Sequence, residues 1–415
     1  MLGVSSLLND TPTPGDDLRY GARHASPDSP RPRAERRPVV VWNVTRRCNL
    51  ACSHCYAESR DREFPGELTT AEGKRLLEDL ACFGVPAVLF SGGEPLLRPD
   101  LLDLLAHARS LGLRCTLSTN GTLLTPSLAR ALRALELRYV GISIDGLEAV
   151  HDRLRGRRGA FAAALAGIRT ARAAGLRVGL RFTVHRLNQH QLPAVLDLVE
   201  REGIDRCCIY HLAYAGRGDR LRRFDLTPQE TRQVVDTIFA WARAMKARGR
   251  AIDLLTVDNH ADGVYLYLRL RAEEPARAEK VYRLLEWNGG NQSGVAIGCI
   301  DPQGNVHPDQ FSWHLYLGNV RQRPFSAIWS DPANPILAFF RRRRAVLQGR
   351  CRVCRYVALC NGNLRVRAER YFGDPRAPDP ACYLTDAEIG IAPGTPEAAE
   401  AARWPVPVQQ AALVT

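Results

Sequence analysis

Three cysteines stand close together in Cys48-Asn49-Leu50-Ala51-Cys52-Ser53-His54-Cys55. Three thiolates can hold three irons of a 4Fe-4S cube and leave the fourth without a protein ligand. An electron-transfer cluster normally has four protein ligands, so an open iron is a place where a small molecule can chelate. The motif directly follows Val39-Val40-Val41-Trp42, an apolar run that predicts a buried strand. The cysteines therefore fall in the loop leaving its C-terminal end.

A second set comprises Cys351, Cys354 and Cys360, with Cys382 further on. Four thiols at such spacings suit an iron–sulfur cluster, and the C-x2-C pair equally suits zinc. Cys299 lies apart from both sets, and Asp309 is a carboxylate ten residues beyond it. Cys82, Cys115, Cys207 and Cys208 fall in helix or strand patterns and are expected in the core. Four short polar stretches accompany the cysteines. In Ser91-Gly92-Gly93-Glu94-Pro95 the glycines let backbone approach a ligand closely, and Glu94 could accept from an ammonium group. Ser118-Thr119-Asn120-Gly121 and Ser143-Ile144-Asp145-Gly146 suit ribose hydroxyls, although the same residues also stabilise plain turns. His211, next to Gly216-Arg217-Gly218, is a candidate contact for substrate or cofactor.

The elements that must position these groups follow from the hydrophobic pattern. Strands are expected at 38–44, 86–91, 113–118, 138–144, 178–184 and 206–212, with amphipathic helices between them. The helix beginning near Thr70 puts Leu76, Leu77, Leu80 and Phe83 on one face. This alternation predicts an α/β fold, a partial (βα)6 TIM-like barrel, with every polar stretch at the C-terminal end of a strand. Residues 1–36 read as a disordered arm, 37–250 as the barrel and 251–293 as a connecting helical segment. Residues 294–391 read as a small cysteine-rich domain whose hairpin turns at Gln303-Gly304, and 392–415 as a flexible tail.

The first motif resembles that of the radical S-adenosylmethionine (SAM) enzymes, with His54 in the usual aromatic place. The resemblance implies that the open iron binds SAM, which is cleaved to a 5′-deoxyadenosyl radical. It makes Cys48, Cys52 and Cys55 the cluster ligands, and gives Gly92, Gly93, Glu94 and Pro95 to the SAM amino group. It assigns Ser118, Asn120 and Ser143 to the ribose and methionine environment. Arg155, in His151-Asp152-Arg153-Leu154-Arg155, becomes a candidate partner of the SAM carboxylate. The second set is similar to that of the SPASM/twitch domain. By that likeness Cys351, Cys354, Cys360 and Cys382 hold one auxiliary 4Fe-4S cluster. Leu364 and Asp309 stand where a further auxiliary cluster would need cysteines. Tyr210–Gly218, Thr256–Gly263 and Gly304–Gln310 resemble the tetrapyrrole-modifying branch, nearest the heme d1 biosynthesis proteins. That implies removal of propionate side chains from a sirohaem derivative, didecarboxysirohaem, with electrons from a reductant such as a flavodoxin or ferredoxin. Other members, in the alternative heme pathway, are the neighbouring possibility. Catalytic candidates are His211, Cys299 and Asp309, and His260, His307 and His314 join His211 as possible axial ligands. A peptide maturase of the same superfamily usually carries an extra N-terminal recognition domain, for which residues 1–36 are short and polar. A simple iron–sulfur carrier would have no use for an incompletely ligated cluster.

Composition narrows the partners. The net charge of +13 comes almost wholly from arginine, since Lys74, Lys246 and Lys280 are the only lysines. The arginines are spread along the whole chain, which argues against a nucleic-acid face and suits pairing with a polycarboxylate ligand. No apolar run is long enough for a membrane span, and the expectation is a cytoplasmic protein whose 12 cysteines are metal ligands or free thiols.

Overall fold

A computed structural model of the chain describes residues 1–21 and 36–405. Strands β2 (Val39–Thr45), β3 (Val88–Gly92), β4 (Cys115–Thr119), β5 (Val140–Ser143), β6 (Val178–Val184) and β7 (Arg206–His211) pair in parallel and in chain order. A helix of the βα type returns the chain between them. The first, Thr70–Phe83, starts at a capping box of Thr69 with Glu72 and stops at Gly84, in the left-handed region at φ 78°. Leu76, Leu77 and Leu80 are its buried stripe, each contributing about 1.5–3 kcal/mol of transfer free energy.

The sheet is longer than six strands. β8 (Asp253–Val257) continues the parallel ladder beyond β7, and β1 (Leu2–Gly3) pairs antiparallel with β8. On the other side β9 (Ile297–Ile300) pairs in parallel with β2 and leads into β10 (Asn305–His307) and β11 (Gly318–Asn319). Eleven strands thus form one sheet, ordered β1-β8-β7-β6-β5-β4-β3-β2-β9-β10-β11. The barrel and the cysteine-rich segment share it.

Four expectations are corrected. Residues 1–20 are not a disordered arm: helices Val4–Asn9 and Asp16–Tyr20 follow β1, and Val4, Leu7 and Leu8 are buried in the core. Ser5 Oγ donates to the Ile252 carbonyl and Asn9 Nδ2 to that of Ala242, which ties the segment to β8 and to helix Pro228–Ala247. Residues 22–35 of that expected arm lie outside the described residues. The stretch 251–293 is not only helical, because Asp253–Val257 is fully buried as a strand. The tail is structured as far as residue 405: helix Pro396–Ala402 is tied to the chain beside Cys351 by Glu400, which accepts from Gly349 N–H, and by Trp404 Nε1, which donates to Gln348. Residues 406–415 lie outside the described residues. Cys82 is exposed, whereas Cys115, Cys207 and Cys208 are buried as expected.

Strand alternation gives the sheet two unlike faces. Val40, Trp42, Phe90, Leu117, Val140, Ile142, Leu180, Phe182 and Ile209 pack completely against the helices. The opposite face carries Asn43, Ser91, Ser118, Ser143, Arg181, Thr183 and Tyr210, and the last five are only half buried. A barrel filled with side chains would have buried them. This one has a polar lumen, open along one side, with the cysteine loop at its C-terminal mouth.

Candidate active site

The loop carrying Cys48, Cys52 and Cys55 leaves β2 and is held from three directions. Ala51 N–H donates to the Arg155 carbonyl at 3.1 Å and Ser53 N–H to the Leu154 carbonyl at 2.8 Å, so the loop rests on the end of helix Glu148–Arg155. From the β7 side, Arg217 donates from Nε to the Cys52 carbonyl and from Nη1 to that of Ser59. Gly216 has φ 52°, and a Cβ there would lie 2.3 Å from the Tyr56 carbonyl oxygen. From the β3 side, Gly93 N–H donates to the Thr45 carbonyl and Glu94 N–H to that of Arg47. A Cβ on Gly93 would lie 2.2 Å from the Arg47 oxygen. The close approach that these glycines permit is therefore to the chain's own cysteine loop.

The three thiols pack together around Leu50 and Ala160. Burial, and then the neighbouring Cys52, push the Cys48 thiol up to about 12. The Cys52 thiol is also raised by burial, with Arg155 opposing. Donors nevertheless face the sulfurs: Leu50 N–H to Cys48 at 3.4 Å and Arg155 Nη1 to Cys52 at 3.5 Å. Thiols that disfavour deprotonation through burial and mutual repulsion, yet are offered N–H donors, suit a cationic iron core that would neutralise their thiolates. The chain's residues thus fit a three-thiolate cluster.

Several sequence candidates have structural partners. Glu94 is fully buried; its Oε1 accepts from Thr119 Oγ1 at 2.6 Å and Leu96 N–H at 3.1 Å, and its Oε2 from Asn120 N–H at 2.7 Å. One acceptor position on Oε2 remains. Asn120 Nδ2 donates to Asn49 Oδ1 at 2.8 Å, and its Oδ1 accepts from Thr122, so it braces the cysteine loop. Arg155 is not a free cation awaiting a carboxylate. Its Nη2 lies 2.6 Å from Asp145, which also faces His54 Nε2 at 3.3 Å. Arg155 and then His54 hold the Asp145 carboxyl down at about 2 against the opposing effect of burial. Burial holds the His54 and His151 rings down at about 4. Asp145, Arg155 and His54, each named separately in the sequence, pair as a buried brace beneath Cys52 that the sequence did not show.

Ser118 faces the lumen and accepts a hydrogen bond from Arg181; Ser143 faces it too, beside Arg181. Cys299 is buried on the lumen face of β9, where Asn43 Nδ2 donates to its sulfur at 3.1 Å; Tyr56 in turn donates to Asn43 Oδ1 at 2.7 Å. Asp309 caps its own turn by accepting from Phe311 N–H. His211 Nε2 pairs with Asp262 at 2.9 Å, and the same carboxylate accepts from Tyr383. Both nitrogens of His307 face acceptors, Leu315 and Asp301, and His314 pairs with Glu369 at the surface. His260 Nε2 lies 3.3 Å from the Met1 amino group. Two of the four axial-ligand candidates, His211 and His314, have one ring nitrogen beside a carboxylate, but His211 is paired with the core residue Val184 on the helix-facing side of β7 and His314 lies at the surface. Tyr56, Phe311 and Trp313 meet edge to face at the mouth, with ring centroids 5.5 and 6.2 Å from Tyr56.

The second cysteine set also gathers. Cys351, Cys354, Cys360 and Cys382 are each raised by burial first, and each lies in the field of at least one other. Tyr356 N–H faces the Cys354 sulfur at 3.4 Å. Leu364 is buried against Ala213 and Val366. The set is anchored to the barrel mouth by Arg367, fully buried, which pairs with Asp379 at 2.9 Å and donates to the carbonyls of Leu212 and Asp258. The Asp379 carbonyl accepts from Cys382 N–H.

Known proteins share this arrangement. The family model described as the radical SAM superfamily matches residues 42–199. The chain is 49% identical over 395 residues to the Fe-coproporphyrin III synthase of Methanosarcina barkeri, covering 94% of this chain and 99% of that one. It is 48% identical over 358 residues to the pre-heme d1 synthase of Dinoroseobacter shibae, covering 86% and 88%. Among solved structures, Streptococcus suis SuiB bound to S-adenosylmethionine superposes with a TM-score of 0.66 at 18% identity, over 84% of this chain and 78% of that one, a likeness of fold.

Proposed function

Since the chain belongs to the radical SAM superfamily, we propose that it removes propionate side chains from a sirohaem-derived tetrapyrrole, as in heme d1 biosynthesis. It is a radical SAM enzyme, and its cofactors are a 4Fe-4S cluster and SAM; an auxiliary 4Fe-4S cluster would be the third. The cluster and SAM supply a radical able to take hydrogen from an unactivated C–H bond, which no side-chain base of ordinary pKa can do. Cys48, Cys52 and Cys55 would hold the SAM-binding cluster, and Cys351, Cys354, Cys360 and Cys382 the auxiliary one. The polar lumen and the mouth lined by Tyr56, Phe311 and Trp313 suit a flat, carboxylate-bearing macrocycle. A reductant of the flavodoxin or ferredoxin class would deliver the electron, and the auxiliary cluster would accept the one left after side-chain loss.

The observation that carries this reading is the pair of long matches to tetrapyrrole enzymes. A second reading, formation of Fe-coproporphyrin III, is favoured by a match running almost the full length of that synthase. Anaerobic incubation of the protein with SAM, a reductant and didecarboxysirohaem separates the two. The expected result is 5′-deoxyadenosine with a product lighter by its propionate side chains. A product with the mass of Fe-coproporphyrin III selects the second reading, and 5′-deoxyadenosine with unchanged tetrapyrrole refutes both.

A further inference from the structure

We propose that Arg181 is a carboxylate-binding residue of the lumen that grips an acidic side chain of the substrate. The inference deepens the tetrapyrrole reading and rests on it. Arg181 projects from β6 beside Ser143 and is half buried. Its guanidinium donates to Ser118 Oγ on β4, two strands away, and lies 4.8 Å from the centroid of the Tyr210 ring. Room for this crossing is built into β5. A Cβ on Gly141 would stand 2.8 Å from Arg181 Cδ, so any larger residue there would displace the side chain. Gly179 makes similar room for Tyr139, whose hydroxyl a Cβ would meet at 2.1 Å. Glycine inside a strand weakens it, and here both glycines open space for lumen side chains.

The charge at the end of this reach has no counterpart. Among the described residues no Asp or Glu lies within 4.0 Å of Arg181, while Arg155, a buried arginine near the mouth, pairs with Asp145. The groups around Arg181 are Tyr210, Tyr139, Cys208 and Tyr56, which are neutral at pH 7. A half-buried guanidinium, steered by a hydroxyl and stacked on an aromatic ring, keeps donors free for a bidentate carboxylate. Propionate and acetate groups of a tetrapyrrole carry that chemistry, and so does the carboxylate of SAM.

Binding measurements on the cluster-loaded protein separate the sources. Iron coproporphyrin III and its tetramethyl ester, both delivered in the same mild detergent, are titrated by absorbance into wild type, Arg181→Met and Arg181→Lys, and SAM affinity is measured in parallel. The proposal expects the free acid to bind Arg181→Met about ten- to a hundredfold more weakly. The ester should bind wild type and Arg181→Met alike, Arg181→Lys should recover part of the acid's affinity, and SAM affinity should hold in all three. Equal binding of the acid by wild type and Arg181→Met overturns the proposal. So does a loss of SAM affinity, which would give the guanidinium to the cofactor, and so does an equal loss of acid and ester, which would make its role steric. If wild type binds neither porphyrin, the tetrapyrrole reading itself fails and takes this inference with it.

Discussion

Asp145→Asn tests whether the charged brace holds the cysteine loop. The substitution keeps the size of the side chain and removes its charge. Asp145 Oδ1 accepts from Thr183 N–H at 3.1 Å, and Oδ2 faces Arg155 at 2.6 Å. An asparagine that keeps the Thr183 bond must turn its amide NH2 toward the guanidinium, setting donor against donor and leaving a buried cation unpaired. Breaking a buried pair in this way costs about 3–5 kcal/mol. That is a large part of the roughly 5–15 kcal/mol by which a folded protein is stable. Because Ala51 and Ser53 hang on the carbonyls of Arg155 and Leu154, the same change loosens the loop between the cysteines. The assay is urea denaturation of the cluster-free protein by tryptophan fluorescence, with iron counted after anaerobic reconstitution. The expected outcome is a loss of about 3–5 kcal/mol, with about four irons retained where wild type holds about eight. A variant within about 0.5 kcal/mol of wild type that reconstitutes fully would show that the brace does not hold the loop.

Stability should fall on mild acidification, because the unfolded chain protonates His54 and His151 near 6.5 and the folded one not until about 4. The stabilisation is complete above pH 6.5 and declines by about 2 kcal/mol per histidine between pH 7 and pH 5, whereas that of Asp145 persists until pH falls toward its folded value. A flat urea midpoint over that range would contradict the burial of both rings. Glu94→Gln sets an amide donor against Asn120 N–H, and isothermal titration should find SAM affinity reduced about ten- to a hundredfold; unaltered affinity removes Glu94 from the site. Replacing Cys48, Cys52 and Cys55 together by Ala should leave about four irons per chain and no SAM cleavage, and zinc in the remaining site would exclude the auxiliary cluster. Cys354→Ala should still release 5′-deoxyadenosine yet yield no modified tetrapyrrole. A folded variant making product at the normal rate would deny the auxiliary cluster its electron role.

The strands β2 to β7 were legible because each is a segment of four to seven residues with apolar residues at alternate positions, set between amphipathic helices. β8 was harder to read. Asp253-Leu254-Leu255-Thr256-Val257 looks like the start of the helix that follows, and only its pairing with β7 makes it a strand. The first ten residues carried a signal, Val4 with Leu7 and Leu8 at helical spacing, beside polar residues that suggested disorder. The cysteine loop could be read from spacing alone. What surrounds it could not: Asp145, Arg155, Arg217 and Glu94 act through partners distant in the chain, and sequence shows a carboxylate or a guanidinium without showing whether it is already paired.

The sheet ends at both margins in strands of two residues, Leu2–Gly3 at one and Gly318–Asn319 at the other. A half-open barrel would otherwise present the unpaired backbone of β8 along five buried residues, a template on which another chain could add a strand. The short β1 covers Leu255 and Thr256 of that template and stops, and β11 is the short margin beyond the hairpin. An enzyme that must leave its lumen open to a large planar substrate thereby avoids leaving it open to self-association. The N-terminal segment, remote in sequence from every cysteine, occupies the part of the β8 edge on which such a strand would otherwise add.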